Sequence, residues 1–234
     1  MIRVDLPYFD ERNTKIDMIV IHCVAHDVNG AIESFKQNKV SPHYLIDEKG
    51  RIYQLVDEDK RAWHAGKSCW KGEDNLNHNS IGIELCSESF GQEVYPFPQI
   101  SALIRLCQHI KREYHIKKTR ILGHSDIAPT RKADPGKAFP WAYLERHGLG
   151  VWYDEKNARK VEQTDEKKLL FKIGYDTTNL NAAKWAFARH FMGNCVPDDT
   201  IENLEAQPYC DQINISRDEF LKVLKAVYFS FTNL

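Results

Sequence analysis

The run IDMIVIHCV, residues 16–24, constrains the fold of this chain more than any other segment. Its apolar side chains fall on consecutive positions, so a strand formed here carries them on both faces. A strand of this kind is buried from both sides, which is typical of the central strands of α/β proteins. We therefore predict an α/β fold with a central sheet flanked by helices.

The charge balance and hydropathy of the chain exclude several classes of protein. Its 234 residues include 32 basic and 33 acidic side chains, which gives no electrostatic reason to expect nucleic acid as a partner. No run of ~20 apolar residues exists, so we predict no transmembrane segment. The amino terminus lacks the basic stretch and apolar core of a secretory signal. We expect a cytoplasmic protein if the chain is full length, and a periplasmic or outer-membrane-associated one if it is a processed form.

The sequence divides into two predicted domains, because its composition changes after Tyr153. Ten of the eighteen residues from 151 to 168 are charged, which is typical of a solvated linker. Three helical patterns follow, at 166–173, 179–191 and 216–231. They predict a small all-α domain of three helices. The predicted boundaries are 1–150 for the first domain, 151–165 for the linker and 166–234 for the helical domain.

Six cysteines are scattered along the chain, and none forms a C-x-x-C pair, so we expect no structural zinc ribbon. Cys195 and Cys210 could bridge a loop in an oxidising compartment. The sequence does not decide whether they do, and it does not fix the oligomeric state.

A loop with metal-ligand chemistry follows the short apolar run Ile121-Leu122. The segment GHSDIAPTRKADPG, residues 123–136, is too rich in Pro and Gly to be helical, and it carries His124 and Asp134 ten positions apart. An imidazole and a carboxylate at this spacing in an irregular loop can close on one metal ion. The segment also carries a cation, Lys132, two residues before the aspartate.

A second imidazole, His22, ends the apolar run 16–24, at the strand end where α/β sheets place their chemistry. Two imidazoles and one carboxylate form a catalytic zinc set, because three protein ligands leave the fourth tetrahedral position for water. We therefore predict Zn²⁺ on His22, His124 and Asp134. A core histidine at position 22 is the alternative, and His43 or His64 could replace one of the three ligands.

Glu84 interrupts an apolar strand, NSIGIEL at 79–85. Alternation places it on the face opposite Ile81 and Ile83, either toward a site or toward solvent on an edge strand. An amide hydrolase needs a carboxylate that moves protons and a cation that stabilises the oxyanion. By type, Glu84 fits the first role and Lys132 the second.

Five blocks in a fixed order resemble the zinc-dependent N-acetylmuramoyl-L-alanine amidases, which share a fold with the peptidoglycan-recognition proteins. The blocks are VIH at 20–22, SPHYLID at 41–47, AWHAG at 62–66, NSIGIEL at 79–85 and GHSDIAPTRKADPG at 123–136. The resemblance implies a central mixed sheet flanked by helices. It also implies the same zinc ligands, with Glu84 as acid/base and Lys132 at the oxyanion.

Two departures from the phage-type pattern indicate the AmpD/AmiD branch of the family. Asp134 stands where phage-type members have a cysteine ligand, and Pro42 stands where they have a tyrosine. The implied reaction cleaves the amide between N-acetylmuramic acid, or its 1,6-anhydro form, and L-alanine of the stem peptide in cell-wall turnover or recycling. Trp63, His64 and Asn79 are candidates for the groove that binds this peptidoglycan or muropeptide substrate, although aromatics and Asn in loops are often packing residues.

The helical region resembles the peptidoglycan-binding module that follows AmiD-type catalytic domains, through IGYDTTNLNAAKWAFARHF at 173–191. A different class of function is a non-catalytic module that binds peptidoglycan fragments without cutting them. Such modules usually lose one or more zinc ligands, and this chain retains all three. The preference for anhydro or ordinary muramic acid is left open.

Overall fold

The computed structural model describes residues 1–210 and 213–233 and is built on a six-stranded mixed sheet. The strands in chain order are β1 (Ile2–Arg3), β2 (Phe9–Glu11), β3 (Met18–Val24), β4 (Tyr44–Ile46), β5 (Ile52–Gln54), β6 (Lys60–Ala62), β7 (Cys69–Trp70), β8 (Glu73–Asp74), β9 (Ser80–Cys86) and β10 (Ile121–Gly123). The sheet order is β1-β5-β4-β9-β3-β10, and only the β4–β5 pair is antiparallel. The remaining strands form two small ribbons, β2–β6 and β7–β8.

Helices cover both faces of this sheet. They are α1 (Val28–Asn38), α2 (Phe97–Glu113), α3 (His124–Ile127), α4 (Trp141–Arg146), α5 (Glu166–Ile173), α6 (Leu180–Phe191), α7 (Ile201–Ala206) and α8 (Arg217–Thr232). Short 3-10 turns lie at Leu76–His78, Lys118–Arg120, Glu155–Lys160 and Gly193–Cys195. The predicted fold class, a mixed sheet flanked by helices with further helices at the carboxyl end, is confirmed.

Strand β3 is buried from both sides, as its sequence predicts. Ile19 and Ile21 pack in one apolar cluster with the inner face of α2. Met18 and Val20, which point the other way, pack in a second cluster with the carboxyl-terminal helices. Because each face is covered, both sets of apolar side chains stabilise the same strand.

The carboxyl-terminal helices share an apolar core with the sheet. Leu170 of α5, Phe187 of α6 and Leu224 of α8 belong to the same buried cluster as Met18 of β3 and Leu122 of β10. Aromatic contacts continue this core, since the Phe187 ring lies 5.3 Å from that of Phe220 and 4.9 Å from that of Phe191. The helices therefore rest directly on one face of the sheet.

The region predicted as a charged linker packs against the last helix. Its residues Glu155–Lys160 form a 3-10 helix that lies along α8, and Lys222 of α8 pairs with Glu155 at 2.5 Å. The Lys160 ammonium lies 4.7 Å from the centre of the Phe229 ring. The boundaries at 150 and 165 remain a prediction, and residues 211, 212 and 234 of the predicted helical domain lie outside the described residues.

The structure also bears on the membrane and cysteine questions. None of the helices in residues 1–210 and 213–233 is long and apolar enough to cross a bilayer. All six cysteines are free thiols, including Cys195 and Cys210.

We expect one cooperative unfolding transition, because the sheet and the carboxyl-terminal helices share a core. Phe187→Ala should lower the free energy of unfolding by ~3–5 kcal/mol, because it removes a ring that is fully buried. The control Phe171→Ala, whose side chain is 65% exposed, should stay within ~0.5 kcal/mol. Denaturant titrations followed by circular dichroism and tryptophan fluorescence measure both. Two separate transitions, only one of which moves in Phe187→Ala, would contradict the shared core.

Candidate active site

The site lies in a gap on one face of the sheet, between two helical layers. Near one end of β3, α1 packs in a cluster that includes Leu45 and Cys86. At the other end, the carboxyl-terminal helices cover Met18 and Val20. Between these layers β3 and β9 carry His22 and Glu84, which are directly opposite each other in the parallel register.

The second histidine is carried to the same gap by β10. This strand pairs in parallel with β3, so that Gly123 lies opposite Ile21. The chain then forms the short helix α3 with His124 at its start, so the prediction that residues 123–136 contain no helix is wrong for these four residues. The loop after α3 then folds back, and the Ser125 N–H donates to the Asp134 carbonyl at 2.8 Å. This contact returns the Asp134 side chain to His124.

A close approach of two backbone segments holds that loop in place. A Cβ atom on Gly91 would lie 1.9 Å from the Pro135 carbonyl oxygen, so only glycine fits there. Gly136 has φ +83° and faces Gly91 from the other side. The Tyr95 hydroxyl donates to the Pro135 carbonyl at 2.7 Å. The backbone next to Asp134 is therefore fixed from two directions.

The three predicted ligands converge. The His22 Nδ1 lies 2.9 Å from the His124 Nδ1 and 3.3 Å from the Asp134 Oδ2, and the His124 Nδ1 lies 3.0 Å from the same oxygen. All three side chains are buried, with exposures of 2%, 4% and 3%. Their ligand atoms lie within 4.8 Å of one another and could hold a metal ion.

The hydrogen bond of His124 identifies which of its nitrogens faces this point. Its Nε2 lies 3.2 Å from the Ala65 carbonyl oxygen, which can only accept a hydrogen bond. The Nε2 therefore carries the proton, and the Nδ1 presents its lone pair to His22 and Asp134. A carboxylate oxygen and imidazole lone pairs at this distance repel one another, and a cation bound by all of them removes the repulsion. This donor set fits zinc.

The ionisation of the cluster also suits a cation. Burial, together with the neighbouring His124, lowers the pKa of His22 to about 4, so this imidazole is neutral at pH 7. Burial opposes the ionisation of Asp134, but its contacts with His124 and His22 hold the pKa of this carboxyl well below its usual value. A metal ion would thus meet a neutral imidazole at His22 and an ionised carboxylate.

Glu84 faces the same gap without joining the cluster. Its side chain is 12% exposed, and its Oε2 lies 3.8 Å from the His22 Nδ1. Burial and the nearby Asp134 charge raise the pKa of the Glu84 carboxyl well above its ordinary value. A carboxyl whose pKa is raised in this way, next to a possible metal site, is suited to proton transfer.

An open cleft of about 710 Å³ surrounds these groups. Lys132, Trp63 and His64 line it together with Asp134. The Trp63 indole N–H donates to Asp10 at 2.8 Å, which orients its ring. The cleft also takes in a rim from the carboxyl-terminal region, formed by Leu204 and Glu205 of α7.

Asn79, a candidate for this groove, is not among the side chains that line the cleft. Its side-chain amide donates to Glu73 at 3.1 Å, and its carbonyl accepts the N–H groups of Asp17 and Met18 where β3 begins. The neighbouring Asn77 lines the cleft instead, with its Oδ1 accepting the His64 and Ala65 N–H groups. Residue type alone favoured neither asparagine.

His43, considered above as an alternative ligand, has both ring nitrogens occupied by the backbone. Its Nδ1 accepts the Gly82 N–H at 3.0 Å, and its Nε2 donates to the Lys60 carbonyl at 3.1 Å. Its burial and the adjacent Arg12 charge lower the pKa of His43 to about 3. His43 therefore ties strands together and does not reach the cluster.

One buried polar network under the site has no signal in the sequence. Asp126 of α3 is fully buried and accepts three hydrogen bonds, from the Gly123 N–H at 2.8 Å, the Tyr175 hydroxyl at 2.7 Å and the His190 Nδ1 at 2.7 Å. The His190 ring stacks on Trp141 at 3.9 Å. The carboxyl-terminal helices thereby hold the short helix that begins with His124.

A buried His–His–Asp cluster that could hold a metal ion lies next to Glu84 in an open cleft of a mixed sheet, an arrangement typical of hydrolases. The chain belongs to the N-acetylmuramoyl-L-alanine amidase family (Amidase_2), whose family model matches residues 12–137. The enzyme AmiD of Escherichia coli is 39% identical over 186 residues, which cover 69% of this chain and 67% of AmiD. The 1,6-anhydro-N-acetylmuramyl-L-alanine amidase AmpD of Haemophilus influenzae is 35% identical over 162 residues, 59% of this chain and 87% of AmpD.

Solved structures agree with this membership. The complex of E. coli AmiD with the substrate anhydro-N-acetylmuramic acid-L-Ala-D-γ-Glu-L-Lys superposes with a TM-score of 0.75 at 32% identity, covering 92% of this chain and 89% of AmiD. AmpDh3 of Pseudomonas aeruginosa has the same TM-score at 28% identity, covering 97% of this chain and 94% of AmpDh3. The shared fold therefore includes the carboxyl-terminal helices as well as the sheet.

We expect Glu84→Gln to stabilise the metal-free protein at pH 7. The pKa of Glu84 is higher in the folded protein than in the unfolded chain, where it is ~4.3. The stability that this carboxyl contributes is therefore full below pH ~4.3 and is lost as the pH rises through the pKa of the folded state. The stability difference between variant and wild type should therefore be smallest near pH 4 and grow with pH. Denaturant titrations of metal-free protein across this range measure it, with exposed Glu93→Gln as the control. A stability difference that stays constant or shrinks with rising pH would contradict the raised pKa of Glu84.

Proposed function

We propose that this chain is a zinc-dependent amidase that cleaves the bond between the lactyl group of a muramic acid and the L-alanine of a stem peptide. The observation that carries the proposal is the convergence of His22, His124 and Asp134 beside Glu84, at the floor of an open cleft in a member of the amidase family. The retained ligand set argues against a recognition module that only binds.

The three ligands would hold zinc through the Nδ1 atoms of the two histidines and the carboxylate of Asp134. When bound, zinc supplies Lewis acidity that activates water and polarises the substrate carbonyl. Glu84 accepts the proton that the attacking water loses and returns it to the leaving amide nitrogen, so that the amine departs neutral. Its burial, which favours the protonated form, suits the second half of this task.

Lys132 would stabilise the negative charge that develops on the carbonyl oxygen during attack. It stands two residues from Asp134 and lines the same cleft, which supports this role. A fixed cation in a partly desolvated site contributes more than the same charge in water.

The substrate we propose is a short muropeptide, including the 1,6-anhydro form. The cleft volume of about 710 Å³ lies within the ~300–1,000 Å³ range of small-ligand sites. The AmiD structure was solved with an anhydro-muramyl tripeptide. The Arg131 guanidinium also lines the cleft and adds positive charge there, which favours an anionic stem peptide.

The predicted binding of polymeric peptidoglycan by residues 166–234 remains a proposal. These helices contact the sheet and the metal loop, so their removal alters more than wall binding. Binding of polymeric peptidoglycan should therefore be tested by substitutions on the surface of these helices and not by deleting them.

Replacing any one proposed ligand should abolish tight zinc binding. We expect His22→Ala, His124→Ala and Asp134→Ala each to weaken zinc affinity by more than ~100-fold, the upper cost of losing an outer partner. Competition with a chromophoric chelator measures the affinity. His26→Ala, which also removes an imidazole that lines the cleft, is the matched control and should keep it. Stoichiometric tight binding in all three ligand variants would sink the metal assignment.

Glu84→Gln and Lys132→Ala should retain zinc and lose turnover by ~10²-fold or more, because each removes a group that acts on the transition state. Cleavage of purified anhydro and ordinary muropeptides, with products identified by mass, measures the rate. Glu48→Gln and Lys49→Ala, exposed in the turn between β4 and β5, are controls of matched chemistry. A near-normal rate for Glu84→Gln would place the base elsewhere.

A further inference from the structure

We propose that His64 is a positioning residue that selects the tautomer of His22 and so points its Nδ1 at the metal. The inference rests on the proposed function, because it takes His22 as a zinc ligand. It gives His64 a role distinct from the substrate contact that its sequence position suggested.

A chain of hydrogen bonds with one possible direction leads to His22. The Ser80 hydroxyl lies 2.5 Å from the Leu76 carbonyl, and since a carbonyl only accepts, Ser80 donates its proton there. The Ser80 oxygen, 3.2 Å from the His64 Nε2, then accepts from that nitrogen. His64 thus carries its proton on Nε2, and its Nδ1 is left as an acceptor.

The His64 Nδ1 lies 3.0 Å from the His22 Nε2, so His22 must donate. A neutral imidazole has one N–H, and placing it on Nε2 leaves the His22 Nδ1 with a free lone pair. That Nδ1 is the atom that faces His124 and Asp134. The Leu76 carbonyl therefore sets, through two side chains, which nitrogen of His22 is free to bind a metal.

The position of the His64 ring is fixed by the residues around it. Gly82 leaves room for the ring, since a Cβ there would lie 2.4 Å from the His64 Cγ. The Asn77 Oδ1 accepts the His64 N–H at 3.1 Å, which fixes the backbone at this point. The rings of His22 and His64 meet edge to face, with centres 5.1 Å apart and planes at 89°.

One short segment orients both proposed imidazole ligands. His64 accepts from the His22 Nε2–H, and the carbonyl of the next residue, Ala65, accepts from the His124 Nε2–H. Outer partners of this kind fix the tautomer and the ring orientation of metal-bound histidines. The segment AWHAG thus orients both proposed histidine ligands through hydrogen bonds to their Nε2–H groups. This role does not depend on what Trp63 does at the cleft.

The test compares His64→Ala with His64→Asn in the full chain. Alanine leaves the His22 Nε2–H without its acceptor, and we expect zinc affinity to fall ~10- to 100-fold. The asparagine Oδ1 stands two bonds from Cβ, as the histidine Nδ1 does, and should restore most of the affinity. Exposed His109→Ala is the matched control. Two-dimensional ¹⁵N–¹H spectra should show His22 as the Nε2–H tautomer in wild type and as a mixture in His64→Ala.

Ser80→Ala provides a second measurement, whose expected result differs from that of a merely structural role for His64. It should weaken zinc binding in wild type but add little in the His64→Ala background, because both changes break the same chain. Denaturant titrations identify variants that fail to fold, and for these the His64→Asn and Ser80→Ala results decide.

The outcomes separate this inference from the zinc proposal. Unchanged zinc affinity and an unchanged His22 tautomer in His64→Ala, with binding lost in His22→Ala, overturn the positioning role and leave the zinc site intact. A loss confined to the KM for muropeptides overturns it in favour of substrate contact. Normal zinc affinity in His22→Ala would instead remove the metal assignment itself.

Discussion

The parallel pairing of β3 with β9 is the interaction on which the site depends. Its register puts His22 opposite Glu84, and a slip of one residue would turn His22 to the α2 face of the sheet. The register is held because β3 is buried on both faces, with Ile19 and Ile21 packed on α2 and Met18 and Val20 packed on the carboxyl-terminal helices. Ordinary apolar burial therefore fixes the geometry of the polar residues.

Two polar side chains next to the site form hydrogen bonds with the backbone. Arg12 from the amino-terminal arm is the clearest case, since its guanidinium donates to the carbonyls of Lys60, His78 and Ser80. Burial lowers the pKa of Arg12 to about 10, and the carbonyl oxygens around it offset part of that cost. His43 is held in the same way. Groups locked by such bonds keep a catalytic arrangement close to its working geometry.

The carboxyl-terminal helices belong to this support. Tyr175 and His190 donate to Asp126, which in turn accepts the N–H of Gly123 immediately before His124. A fully buried carboxylate that lost these donors would be costly, so the bonds tie helix and loop together. Near the same loop, the Lys137 ammonium donates to the Val196 carbonyl at 3.1 Å. Residues beyond 150 therefore shape the site even though the motifs lie before it.

Sequence by itself determined the parts of this protein that depend on local periodicity and residue type. The doubly buried strand at 16–24 and the face on which Glu84 lies follow from patterns of adjacent residues. Residue type and spacing proposed His22, His124 and Asp134 as ligands but left His43 and His64 as alternatives. Tertiary structure alone decided what distant segments do to one another. The Asn79 amide donates to Glu73. His64 contacts His22, where Gly82 leaves space for its ring. Asp126 accepts hydrogen bonds from Tyr175 and His190. The reason is physical: periodicity fixes which side of an element a residue occupies, whereas hydrogen-bond partners depend on how separate elements pack.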